Sequence, residues 1–231
     1  MPLAVTFPSV LAPRIRLALT VAALCAAVIV VIVLLARPNG DNTGATPVKT
    51  GQFYGATLPA TFPAINFALP DQNHHTIRLS AYSGQVVAAT FIYSTCATTC
   101  PDIVAQLTQA INELPHPITA LAISVDPTQD GATNVSSFLL RAQALSALHY
   151  LVAKRSVLAA IWRQFAITPQ RPVKSARADF TVKVVLFDKI GRARVSYSGL
   201  AALDNPDVIA ADIRTLQSEP MPAHPPARKD L

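Results

Sequence analysis

Hydrophobic positions along this 231-residue chain follow three different patterns. From Leu17 to Ala36 (LALTVAALCAAVIVVIVLLA) there is no charge, and only Thr20 lies outside the apolar set. As a helix rising ~1.5 Å per residue, that segment reaches about 30 Å, the thickness of a bilayer core. Residues 38–60 have no sustained period and are rich in Gly, Pro, Thr and Asn, the composition of a flexible linker. From residue 61 to 217 strand-like and helix-like periods alternate, which marks the folded domain. The last residues, 218–231, are dense in proline and read as a disordered tail.

Within the domain, Thr76–Leu79 predicts a short strand and Val86–Tyr93 (VVAATFIY) a strand covered on both faces. Ile103, Leu107, Ile111 and Leu114 recur at helical spacing behind Pro101, which is tolerated in a first helical turn. Thr119–Val125 predicts a second buried strand. Val135, Phe138, Leu139, Ala142 and Leu145 then form a helical stripe. His149–Ala153 is strand-like, and Leu158, Ile161, Trp162 and Phe165 form a third stripe. Thr181–Asp188 and Ala193–Tyr197 flank a turn at Lys189-Ile190-Gly191-Arg192, and Asp207–Leu216 closes the domain as a helix. Buried strands alternating with helices predict an α/β domain with a mixed sheet and helices on both faces, in the thioredoxin-like order.

Charge changes the picture at the amino terminus. The net charge is +6, from 19 Lys plus Arg against 13 Asp plus Glu, and Arg14, Arg16 and Arg37 flank the apolar segment. Two arginines and the amino terminus before the segment place residues 1–16 in the cytoplasm by the positive-inside rule. Twenty apolar residues, with Arg37 where a cleavage site would fall, indicate an uncleaved single-pass anchor over 17–36 rather than a signal peptide. The domain then lies outside, in the periplasm of a bacterium or an equivalent extracytoplasmic space. No basic stripe interleaved with aromatics and no phosphate-cradling glycine motif is present, so nucleic acid is not an expected partner.

Of the three cysteines, Cys25 lies inside the apolar segment and behaves as a small hydrophobe. Cys96 and Cys100 lie where a buried strand runs into a helix (FIYSTCATTCP), with Cys100 beside Pro101 near the helix cap. Reactive groups collect at such strand ends, and a helix amino terminus favours a thiolate. Cys96, in the loop, is the expected exposed thiol. A pair at this spacing can close a reversible disulfide, chelate a soft ion such as Cu(I), or form a permanent local staple.

With its anchor, buried strand and CxxxCP, the chain resembles the SCO/SenC family of thioredoxin-like copper chaperones, which assist copper-centre assembly in cytochrome c oxidase. The resemblance extends to Leu79-Ser80-Ala81-Tyr82-Ser83-Gly84, to Ser124-Val125-Asp126-Pro127 followed by Asp130 (S-x-D-P-x-x-D), to the segment Trp162–Ile167, and to the LFDKIGRAR hairpin at 186–194. It implies copper held by Cys96 and Cys100, and a copper-containing oxidase subunit or another thiol protein as partner; two thiolates favour Cu(I) over Cu(II). It also implies thiol reduction, with Cys96 attacking and Cys100 resolving. Asp126 and Asp179 match family positions, either beside the reacting groups or as turn caps.

One departure shifts weight toward redox chemistry. The family's copper-binding His stands in an Asp-His-Ser-like motif, and here the stretch is Asp179-Phe180-Thr181. Phe180 cannot ligate a metal, and Met1 and Met221 are the only methionines. The chain's histidines are His74, His75, His116, His149 and His224; of these, His74-His75 is a surrogate candidate at a turn, and His149 reads as a strand residue. Two alternatives therefore stand beside copper-centre assembly: an extracytoplasmic thiol-disulfide oxidoreductase that does not use copper, and a tethered binding module with a structural disulfide.

Overall fold

The computed structural model describes residues 49, 51–97, 99–144, 146, 148–169, 182–199 and 203–231. The apolar segment 17–36 and the Asp179-Phe180-Thr181 stretch lie outside them. No helix among the described residues is long and apolar enough to cross a membrane.

The central sheet has six strands in the order β1 (Ala56–Thr57), β9 (Ala193–Ser198), β8 (Lys183–Phe187), β5 (Val87–Ile92), β6 (Thr119–Ser124) and β7 (Leu148–Leu151). β5 pairs parallel to β6 and antiparallel to β8, and all six of its residues are buried. The near-continuous apolar run in the sequence has this cause, since a strand with elements on both faces has no side left for polar residues. Even residues of β5 (Ala88, Thr90, Ile92) face one layer, and odd residues (Ala89, Phe91) the other.

The first layer contains α1 (Thr99–Asn112), α2 (Ala132–Arg141) and α4 (Pro206–Ser218), packed through Ile103, Leu107, Phe138, Ile209 and Ile213. The second is built from α3 (Arg155–Gln164), through Leu158, Ile161 and Trp162, and from the hairpin β3 (Ala68–Pro70) and β4 (Thr76–Arg78). Each helix presents an apolar stripe to the sheet at the spacing read from the sequence.

The outer edge of β7 is covered by side-chain and backbone groups of the β3–β4 turn. Gln72 accepts from the Tyr150 N–H at 2.7 Å and donates to the Leu148 carbonyl at 3.2 Å, and the Val152 N–H reaches the Pro70 carbonyl. An amide side chain thereby stands in for a neighbouring strand and blunts an edge open to pairing. Beside it, buried Asp71 accepts from the backbone N–H of Asn73 and His75 and lies 3.1 Å from His149 Nδ1. Burial pushes the Asp71 carboxyl up, but these bonds outweigh it and hold the group below its ordinary value.

Two terminal assignments need correction. The segment 37–60, expected to be linker throughout, joins the fold from Phe53 onward. Phe53 is buried, β1 pairs with β9, and the Tyr54 and Gly55 N–H groups donate to the fully buried Asp212 carboxylate at 2.9–3.0 Å. Tyr197 adds its hydroxyl to the same carboxylate at 2.6 Å. A Cβ at Gly55 would overlap Val195 and touch the Tyr197 ring, so glycine is the residue that lets the chain approach this closely.

The tail 218–231, expected to be disordered, folds back on the domain. Its β10 (Lys229–Asp230) pairs parallel to β2 (Ile65–Asn66), and Arg228 donates to the Ile190 carbonyl at 2.9 Å and Ser83 Oγ at 3.1 Å. The physical reason is that β2 has an edge whose polar groups need partners, and the last residues supply them. Deleting residues 220–231 removes these bonds. It is expected to cost about 1–3 kcal/mol of stability, read as a lower urea midpoint with the secondary structure retained.

Candidate functional site

The site forms where β5 runs out of sheet. The Val125 N–H bonds to the Ile92 carbonyl as the last rung, and beyond it the chain turns through Tyr93, Ser94, Thr95 and Cys96 toward α1. Thr95 and Ala97 face solvent, whereas Cys96 between them turns inward. Cys96 is 4% exposed and Cys100, in the first turn of α1, is 0% exposed. The expectation of an exposed Cys96 is therefore wrong: the loop folds its sulfur into the same apolar layer as Ile103 and Val104.

Cys96 and Cys100 are joined as a disulfide, with Cα atoms 5.8 Å apart. The Cys100 backbone N–H donates to Cys96 Sγ at 3.0 Å. This donor is one of the first-turn N–H groups that an α-helix leaves unpaired, and it points at the sulfur of the partner cysteine. Pro101 follows inside the first turn, where its missing N–H costs nothing.

A buried carboxylate anchors the loop. Asp130, 3% exposed, accepts from the Ser94 N–H at 2.7 Å and Ser94 Oγ at 2.6 Å through Oδ1. Through Oδ2 it accepts from Ser124 Oγ at 2.6 Å and the Tyr150 hydroxyl at 3.0 Å. Arg141, at the end of α2, donates to the Ser94 carbonyl at 3.2 Å. Burial raises the Asp130 carboxyl above its ordinary value, against the bonds from Ser124, Ser94 and Tyr150 that pull it down. The Tyr150 hydroxyl is pushed well up by burial and by the Asp130 charge.

Asp126 sits at the end of β6, 3% exposed. Its main-chain carbonyl closes the following turn by accepting from the Gln129 and Asp130 N–H groups. Among the described residues, Asp126 Oδ1 is buried with no hydrogen-bond partner. Burial raises the Tyr93 hydroxyl, and the Asp126 charge adds to that.

The histidines are not gathered here. His74 and His75 lie exposed at the β3–β4 turn, and His149 lies on β7 beside Asp71. Among the described residues, no group of three or more His, Cys, Asp or Glu is arranged to hold a metal. Once reduced, the two cysteine sulfurs would be the soft donors that the described residues of the loop offer a metal such as Cu(I). Sequence reading missed Ser94 and Tyr150. The signal for Tyr150 was a hydroxyl-bearing residue within an apolar strand, which demands a buried partner.

The SCO1/SenC family model matches residues 57–218. The chain belongs to that family. Copper-bound ScoI of Bradyrhizobium japonicum is similar at 22% identity and a TM-score of 0.54, covering 67% of this chain and 99% of its own. Apo Sco1 of Thermus thermophilus is similar at 23% identity and a TM-score of 0.60, covering 75% and 99%. BsSco belongs to the Sco family of cytochrome c oxidase assembly proteins and has an identified disulfide switch. It is similar at 19% identity and a TM-score of 0.58, covering 71% and 98%. These likenesses establish the thioredoxin-like Sco fold. No curated protein matches the chain.

Tyr150→Phe removes one donor from the Asp130 carboxylate. That donor favours the ionised form, so its loss raises the carboxyl further above its ordinary value. A raised folded value gives stability that is fully present below the unfolded value, about pH 4, and is lost as pH rises through the higher folded value. The variant is therefore expected to lose about 1–2 kcal/mol at pH 7 and less at pH 3.5, measured by urea unfolding at both.

Proposed function

We propose that this chain is an anchored, extracytoplasmic SCO-type protein that assists assembly of a copper centre in a respiratory oxidase. It carries Cu(I) as cargo, passes electrons to a client's cysteine pair, or does both, through Cys96 and Cys100. The observation that carries this reading is the cysteine pair at the junction of β5 and α1, with the helix N–H on Cys96 Sγ, in a chain of this family. Residues 17–36 would supply the anchor and place the domain outside the cytoplasm.

The electron transfer balances without a further reactant. The Cys96 thiolate attacks one sulfur of the client disulfide, forming a mixed disulfide and releasing one client thiolate. The Cys100 thiolate then attacks Cys96 Sγ, closing the internal disulfide and releasing the second client thiolate. Two electrons pass to the client, whose thiolates take up protons. The helix N–H stabilises a Cys96 thiolate in the reduced state, which fits Cys96 as the attacking group. For cargo, two thiolates can hold Cu(I) in a linear arrangement.

A second reading, redox exchange without copper, is favoured by Phe180 at the place of the family's His ligand. The deciding experiment is Cu(I) titration of the reduced chain with thiol counting. One Cu(I) bound per chain, abolished by Cys96→Ser and by Cys100→Ser, is the expected outcome for the chaperone. Two free thiols with no retained Cu(I) would leave electron delivery as the function.

A further inference from the structure

We propose that Asp130 is a positioning residue that keeps the cysteine loop closed and so gates access of an attacking thiolate to Cys96 Sγ. The inference rests on reading Cys96 and Cys100 as an exchangeable pair. A thiolate attacks a disulfide along the sulfur–sulfur axis, yet the two cysteines are 4% and 0% exposed. Exchange therefore requires residues 95–97 to swing out. On the near side the loop hangs from Ser94.

Ser94 is held at three atoms. Its N–H and Oγ bond to Asp130, and its carbonyl accepts from Arg141. Asp130 cannot follow an outward movement, because Ser124 and Tyr150 fix its other oxygen to β6 and β7. Past Ser94, the Cys96 N–H to Tyr93 carbonyl bond is long, at 3.3 Å, and the flanking Thr95 and Ala97 already face solvent. At Cys96 the loop is held by the disulfide and by the Cys100 N–H, and on its near side by Ser94, whose release would let the segment open locally without global unfolding.

The test is the rate at which excess dithiothreitol reduces the full chain. Its thiolate forms a bond to Cys96 Sγ as the Cys96–Cys100 bond breaks, and Cys100 leaves as a thiolate that takes up a solvent proton. The reagent's second thiolate then displaces Cys96, and the reagent closes to its cyclic disulfide, two electrons having passed to the protein. Asp130→Asn, and the milder Ser94→Ala, are expected to speed reduction roughly tenfold, as loss of one or two buried hydrogen bonds implies. The amides of Ser94 and Cys96 should lose hydrogen-exchange protection in parallel.

Asp212→Asn is the control, because it disturbs a buried carboxylate that the loop does not touch. It should lower the melting temperature while leaving the reduction rate within about twofold, the scatter expected of a site that shares no partner with the loop. Unchanged rates in both Asp130→Asn and Ser94→Ala, or equal acceleration by Asp212→Asn, would overturn the gate. Failure of the reduced wild type to pass electrons to any client disulfide would instead overturn the redox reading, and the ratio of reduction rates would still decide the gate.

Discussion

A strand buried on both faces must end where its backbone polar groups can find partners, and β5 ends against a carboxylate. Beyond Ile92, Asp130 takes the Ser94 N–H and Arg141 its carbonyl. An unpaired buried amide costs about 1–3 kcal/mol, so these two side chains define where the chain can go next. That path brings Cys96 under the first turn of α1, where the Cys100 N–H meets its sulfur. The chemistry of the loop follows from how the central strand is terminated.

The same device recurs elsewhere in this chain. Asp71 caps the β3–β4 turn, and Asp188 accepts from the Ile190 and Arg192 N–H groups in the β8–β9 turn. Asp212 holds Tyr54 and Gly55 against the core. A chain with only 14% charged residues thus spends several of its 13 acidic groups inside the structure, on backbone that regular pairing does not reach. What distinguishes Asp130 is its place: it joins three strand ends directly behind the cysteines, whereas the others fasten turns and termini.

The periodicity of the sequence located the strands β5 to β9 and the four α-helices of the described residues, because burial on one or both faces leaves a direct trace in residue order. The docking of Phe53–Thr57 and Lys229–Asp230 left no such trace. Their sequences are short, and prolines and glycines nearby read as linker; their order comes from backbone bonds to edges built by distant segments. Asp130 was legible as part of S-x-D-P-x-x-D, but its function as a hub depends on Ser94 and Tyr150, 36 and 20 residues away. The inward turn of Cys96 was hidden for a related reason: the six residues between β5 and α1 have no period, and their burial is set by what holds the ends.

The proposed function rests on one central claim, that Cys96 and Cys100, at the β5–α1 junction of an SCO1/SenC chain, exchange rather than staple. The most direct test is the equilibrium midpoint of that couple, titrated against dithiol and glutathione buffers of known poise at pH 7. An exchanging pair gives a midpoint above about −300 mV, within reach of cellular thiol couples. A midpoint below that value would mark a structural disulfide and contradict a redox role for the site.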